Sequence, residues 1–402
     1  MNITRRLRHP LAGLLGLSLA GATSAADIST SGFAASELRW FPQSPLFSGQ
    51  LTGTEPSLLL APEFRFRSED GKTRGTFAPF VRLTGRNNDR SHLDIREAYV
   101  ATRKEDWDFL IGINKVFWGV AESRHLVNIV NQTDIAEDTD EEDKLGQPMI
   151  AVGLQKDWGR LDAFVLPGFR ERDFPDLNGR LRSPEPADEN GRVIESGLGN
   201  AHVDVAARYS HVLGDWDLGL SIFRGISREA RLPLSPDGTR RVPHYDLITQ
   251  GGLDLQYTRE EWLWKFEGIL REGHGSTFAA MVGGFEYTHF QIFQTNADLG
   301  LLAEYHRDGR DPASTPSTGF DNDVFLGARY ALNDVDDTQA LAGTVIDLGD
   351  GTMSFFVEAE RRIGDGWKIE AELRILANVD AANELAAFRR DSFANLRLSR
   401  HF

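Results

Sequence analysis

The segment WKIEAELRIL, residues 367–376, changes character at every step. Trp367, Ile369, Ala371, Leu373 and Ile375 share one face of an extended chain, and Lys368, Glu370, Glu372 and Arg374 share the other. FFVEAERR at 355–362 repeats the pattern, with Phe355, Val357 and Ala359 against Glu358, Glu360 and Arg362. EWLWKFEGILR at 261–271 sets Trp262, Trp264, Phe266 and Leu270 against Lys265, Glu267 and Arg271. Strands with so charged a face have two stable homes. In a soluble sandwich the apolar faces pack on each other and the charges meet water. In a membrane barrel the apolar faces meet lipid and the charges line an enclosed wet interior. Periodicity alone does not choose between them.

Loop lengths do. The pattern predicts eighteen strands, with an error of two, so that sixteen is the nearest alternative. Connections after even-numbered strands are short: SEDGK, KED, KDWG, LGD, TREE, NDVD and GDG. Several after odd-numbered strands are long: 42–56, 117–147, 168–200, 225–244, 308–320 and 378–391. Short turns at one rim and long loops at the other are what an outer-membrane barrel requires, whereas a sandwich has no reason to sort its loops. Five tryptophans follow short turns: Trp107, Trp158, Trp216, Trp262 and Trp367. An indole with an apolar body and one N–H donor settles at headgroup level, so these five are the expected membrane-interface girdle.

The chain ends agree. Arg5, Arg6 and Arg8 precede an apolar run from Leu11 to Ala22 and the small residues TSAAD, the pattern of a cleaved secretory signal over residues 1–25. The barrel is then one domain, 26–402. No segment reaches the roughly 20 continuous apolar residues of a spanning helix, so insertion must be by strands. There are no cysteines, which excludes disulfides and a lipid anchor on an N-terminal Cys. The net charge of −16 disfavours nucleic acid as a partner. A mean hydropathy of −0.34 fits a soluble protein, but equally a barrel in which every second residue faces lipid.

LRLSRHF closes the chain on Phe402, with Ala394, Leu396, Leu398 and Arg400 on its face. It resembles the last strand of bacterial outer-membrane barrels, whose terminal aromatic is read by the barrel-assembly machinery. GFEYTHFQIFQTNADLGLLAEY (284–305), NDVFLGARYALNDVDDTQALAG (322–343) and FWGVAESRHLVNIVNQTD (117–134) are similar to a group of proteobacterial outer-membrane barrel proteins. That resemblance implies fold and place, not a substrate.

FWGVAESRHLVNIVNQTD stands out because its spacing is helical. Leu126, Ile129 and Val130 could pack on the barrel wall, leaving Arg124, Asn128 and Asn131 towards water. It follows the fifth strand, and resemblance to general porins implies that this third external loop folds inward and narrows the channel. The expected constriction residues are Trp118, Glu122, Arg124, Asn128, Asn131, Asp134, Glu137 and Asp138, the last three opening an acidic run to Asp143. Alternation places Arg65, Arg67, Arg82, Arg96, Lys265, Glu267, Glu358, Glu360, Glu370, Glu372 and Arg374 on the lumen wall. These signs are mixed, so no ion preference follows. Against this stands an acidic run that is merely a solvated loop.

Enzymatic chemistry is not expected. His274 and Ser276 share a turn, but there is no GxSxG elbow and no HExxH spacing. No metal or other cofactor is expected, and DTDEED lacks the spacing of a calcium loop. The expected fold is therefore an all-β antiparallel transmembrane barrel with a short helical segment in the third loop. The expected work is porin-like passive diffusion of small solutes, with outer-membrane lipids and the assembly machinery as partners. Many such barrels are homotrimers, and the residues leave monomer and trimer both open. The rival function is transport of a hydrophobic cargo, because Pro62 and Pro79 on strands two and three cannot donate to the ladder.

Overall fold

The computed structural model describes residues 27–87, 90–138 and 140–402. The predicted signal segment, 1–25, lies outside them. The eighteen strands are β1 (Asp27–Phe41), β2 (Gly53–Arg67), β3 (Thr73–Thr84), β4 (His92–Lys104), β5 (Trp107–Asn114), β6 (Gln147–Lys156), β7 (Gly159–Pro167), β8 (Val203–Leu213), β9 (Trp216–Ile226), β10 (Leu247–Arg259), β11 (Trp262–Gly273), β12 (Gly275–His289), β13 (Asp298–Asp308), β14 (Asn322–Ala331), β15 (Gln339–Asp347), β16 (Met353–Arg362), β17 (Trp367–Ala377) and β18 (Phe393–His401). Each pairs antiparallel with its sequence neighbours. β18 returns to β1 in register from Phe33↔His401 to Trp40↔Ala394, and Gly32 and Phe402 exchange two backbone hydrogen bonds of 3.0 Å. The sheet is a closed barrel.

Closure matters because of what faces outward. Leu58, Leu60, Phe64, Trp264, Leu270, Leu396 and Leu398 are exposed, while their odd-position neighbours face inward. With an apolar exterior, every backbone N–H and C=O must find its partner within the wall, and a closed ring achieves that. The turns at one rim are 68–72, 105–106, 157–158, 214–215, 260–261, 290–297, 332–338 and 363–366. The other rim carries 42–52, 85–91, 115–146, 168–202, 227–246, 309–321, 348–352 and 378–392. Loop parity is thus as expected, except that β11 and β12 are joined through His274 alone. Val193–Ile194 and His244–Tyr245 form a short parallel pair that ties loop 168–202 to loop 227–246.

One element differs from expectation. Residues 117–134 form no helix; they run as turns and bends. The helical spacing of Leu126, Ile129 and Val130 reports burial on one side only. The amide hydrogens that would bond carbonyls four residues back go elsewhere. Val120 and Ala121 donate to Glu267 Oε1 at 2.7 and 2.9 Å, and Val127 to Glu267 Oε2 at 3.2 Å. Glu122 and Ser123 donate to the two carboxylate oxygens of Glu304 at 2.7 and 2.9 Å. Ionised acceptors form stronger hydrogen bonds than peptide carbonyls, so the wall outcompetes the helix.

Candidate functional site

The loop 115–146 lies inside the barrel and meets two kinds of wall. Against β6 to β12 the contact is mainly apolar, with Lys265 and Glu267 of β11 as its charged members. Trp118, Ala121, Leu126, Val127, Ile129 and Val130 pack on Met149, Phe164, Leu166, Ala206, Phe223, Ile248, Ile269, Phe278, Ala280 and Val282. Each of these strands supplies an inward apolar side chain, and Val127 and Val130 are 0% exposed. Fully burying a Val, Leu or Ile side chain is worth roughly 1.5–3 kcal/mol, so this face provides the gross anchoring. Asn131 completes it. Its side chain accepts from Val116 N at 2.8 Å and donates to Asn114 O and Leu145 O, both at 2.9 Å. The expectation that Asn131 faces water is therefore corrected: its amide stitches the loop's two ends together.

Against the remaining strands the contact is ionic. Asp134 pairs with Arg96 on β4 at 2.7 Å, Glu137 with Arg82 on β3 at 2.6 Å, and Asp138 with Arg39 on β1 at 2.9 Å. Asp140 reaches Arg374 on β17 at 3.1 Å. Glu122 meets Arg329 on β14 at 2.7 Å and Lys265 on β11 at 3.4 Å. Arg124 meets Asp308 on β13 at 3.1 Å, so it too is engaged rather than directed to water. Burial alone would raise Glu137, but the Arg82 guanidinium, with His92 and Arg96 behind it, holds the carboxyl below its usual range. His125, opposed by burial, is pushed up to about 9 by the carboxylates of Glu142, 2.8 Å from its Nε2, and Glu267, 3.7 Å from its Nδ1.

The lumen-wall residues fall into small charge groups. Arg82 is wholly buried between Glu37 and Glu137, and Glu37 also meets Arg90 at 3.3 Å and Arg397 at 2.7 Å. Arg374 joins Glu358 at 2.7 Å and Glu372 at 2.6 Å, while Lys368 bridges Glu360 at 2.6 Å and Glu370 at 3.1 Å. Arg65 pairs with Glu63 along β2. Arg67 lies apart from the loop, in a cavity of about 530 Å³ at the short-turn end with Arg74, Arg103 and Arg160. Asn128 caps Trp118 N at 3.4 Å. A larger cavity, about 690 Å³, opens towards the long loops. Ser123, Arg124, His125 and Glu142 of the inserted loop form one side; Val345, Phe356, Leu376 and Phe393 of the wall form another. Glu37, Arg39 and Asp308 were not singled out from sequence, although SELRW at 36–40 carries the same alternation. The five tryptophans stand exposed at the short-turn rim, Trp216 stacked on Tyr257 and Trp262 on Trp264.

Two other clusters have chemical interest. His274 Nδ1 is 2.9 Å from Asp246 Oδ2 and its Nε2 is 2.9 Å from Ser227 Oγ, the atom order of a hydrolase triad. Yet Ser227 and His274 are 0% exposed, neither lines the two cavities, and Asp246 already holds Arg231 through two bonds of 2.6 Å. This group fastens the β11–β12 turn to loop 227–246, and Ser276, paired with His274 on sequence grounds, is exposed instead. His92, Asp134 and Glu137 bring ligand atoms within 4.8 Å, but Arg96 and Arg82 already neutralise the two carboxylates. Asp321, Asp323 and Asp347 form a second such carboxylate group at the long-loop rim.

No family model matches the chain, and no curated protein does. Solved structures do. A BenF-like porin from Pseudomonas fluorescens Pf-5 superposes with a TM-score of 0.56 at 8% identity, over 95% of this chain and 99% of that one. Pseudomonas aeruginosa OpdO gives 0.54 at 9% identity, over 94% and 96%. Wzi of Escherichia coli, described as a carbohydrate-binding outer-membrane β-barrel of group 1 capsule assembly, gives 0.50 at 9%, over 93% and 84%. At such identities the likeness is one of architecture: this chain has the fold of outer-membrane porin-like barrels.

Proposed function

We propose that the protein is an outer-membrane channel for small solutes, in which loop 115–146 sets the narrowest passage. The observation that carries this reading is that one loop is fixed to the inner wall on every side. It is bound ionically to β1, β3, β4, β13, β14 and β17 and packed on β6 to β12. A loop so held must share the lumen with any solute. The charged groups beside it leave polar surface for water, and the barrel it narrows has the architecture of a solved porin. In this reading residues 1–25 direct export, the short-turn rim faces the periplasm with its tryptophans at headgroup level, and Phe402 serves the assembly machinery.

Planar-bilayer recording tests it. Deleting residues 120–143 is expected to raise single-channel conductance, and an unchanged conductance would remove the loop as the constriction. Because that deletion uncovers apolar wall, a milder variant accompanies it: Glu141→Gln with Glu142→Gln, both exposed in the larger cavity. Its reversal potential in a salt gradient should move towards anion preference. Current that neither variant alters would mean ions take another route.

A further inference from the structure

Strands β2 and β3 are zipped from Ser57↔Thr84 to Leu60↔Val81 and again from Phe64↔Phe77 to Arg67↔Arg74. Between these stretches, residues 61–63 and 78–80 are unpaired. The same register sets Pro62 opposite Pro79. In an antiparallel ladder a narrow pair exchanges two N–H···O bonds, and each wide pair beside it depends on one of them. Two prolines facing each other remove both donors at once, so pairing fails at that position and at its two neighbours. The three-residue gap is the length this arithmetic requires.

The two flanks of the gap differ: β4 is irregular beside it, and β1 stays fully paired and closely packed. Against β4, the register of β3 shifts between Ala78↔Glu97 and Pro79↔Ile95, leaving Arg96 as the extra residue of a bulge. On β1, Gly32 lies opposite Pro62, and a Cβ there would sit 2.4 Å from Ala61 O, so only glycine permits this approach. The gap lies within the apolar band, for Leu60, Phe64 and Phe77 around it are exposed outward.

A second, independent observation lies directly behind it. The inner wall of β1 to β3 is charged above and below, with Glu37 and Arg82 on one side and Glu63 and Arg65 on the other. Behind most of the gap it is apolar, with Phe33, Ala35, Leu59, Ala61 and Phe80 in one cluster and Glu63, paired along its own strand with Arg65, at the gap's lower edge. Phe80 is buried there with the Arg96 guanidinium 4.5 Å above its ring, and Arg96 is held by Asp134 of the inserted loop. Carbonyls without donors are costly in hydrocarbon, so a gap at this depth is an expensive feature to keep.

We propose that residues 61–63 and 78–80 form a lateral portal, closed by Phe80, through which a neutral apolar solute passes from the lumen into the acyl-chain layer. Polar solutes would keep to the aqueous route, so this is a second exit from the same barrel. The closure is coupled to the loop, since Asp134 positions the arginine that covers the closing ring.

The chain has no cysteine, so Glu63→Cys with Ala78→Cys, at inward positions the register sets opposite each other, gives one disulfide across the gap. Uptake of N-phenyl-1-naphthylamine, which brightens in acyl chains, is followed in intact Gram-negative cells producing the full chain. The unmodified protein should speed uptake. Oxidation of the double variant should return it to the rate of cells lacking the protein, and dithiothreitol should restore it, with ion conductance in planar bilayers unchanged throughout. Phe80→Ala should speed uptake further. Equal rates for the oxidised and reduced forms, no protein-dependent uptake, or conductance that falls in step with uptake would each overturn the portal. A staple that stops uptake in a barrel that conducts no ions would leave the portal standing and remove the aqueous channel instead.

Discussion

The two halves of the inner wall hold the same loop by different physics. Along β6 to β12, Val127 and Val130 are buried among Phe223, Ile248 and Val282. From β13 round to β4 the loop touches mainly through carboxylates and guanidiniums. Apolar packing is strong and indifferent to direction, so it fixes which side of the lumen the loop occupies. Ion pairs are directional and costly to bury, so they fix where the other edge stops and leave polar surface beside it. In the proposed channel, the passage for solutes belongs on the second side.

The largest effect should come from making the first side resemble the second. Val127→Asp puts an unpaired charge into close packing at a cost of roughly 3–5 kcal/mol, enough to release the loop. Amide exchange should lose protection over 117–131 while the strands keep theirs, and retained protection would show that the ionic side alone holds the loop. Next is Arg82→Met, which takes from Glu137 its guanidinium partner and leaves Glu37 only Arg90 and Arg397, and should cost about 3 kcal/mol in chemical unfolding. Adding Glu137→Leu should recover part of that loss; no recovery would mean the pair is not energetically linked. A smaller effect is expected from pH. His125 is raised from 6.5 to about 9, so the stability it lends is complete below pH 6.5 and disappears as pH rises through about 9. Protection of residues 119–127, corrected for intrinsic exchange, should fall over that interval, and His125→Gln should abolish the dependence. Smallest should be Glu141→Gln with Glu142→Gln. Exposed carboxylates are worth little, about 0–1 kcal/mol each, so the unfolding midpoint should move only slightly, through the lost partner of His125, while the reversal potential moves clearly.

Most of the barrel was legible because alternation and loop parity are local. WKIEAELRIL shows its two faces without help from the rest of the chain, and short turns such as KDWG declare the rim they belong to. The inserted loop was half legible. Its apolar spacing correctly marks Leu126, Ile129 and Val130 as buried. It misleads about conformation, because the acceptors that unwind it, Glu267 and Glu304, lie far along the chain and no local pattern points to them. The same distance hid the role of Asn131 and the three groups Ser227, Asp246 and His274, which meet only when loops from different strands converge. Pro62 and Pro79 are visible as ladder breakers singly, but that they face one another is a property of register.

The anchors of the inserted segment have a consequence for biogenesis. Its acceptors and counter-ions sit on strands spread from the first to the seventeenth, while the segment itself is made after the fifth. Contacts so distant in sequence form late, since each requires the chain between to be threaded into place. Arg39, Arg82 and Arg96 precede the segment, but Glu267, Glu304 and Arg374 follow it, so its full set of anchors exists only once the cylinder is nearly complete.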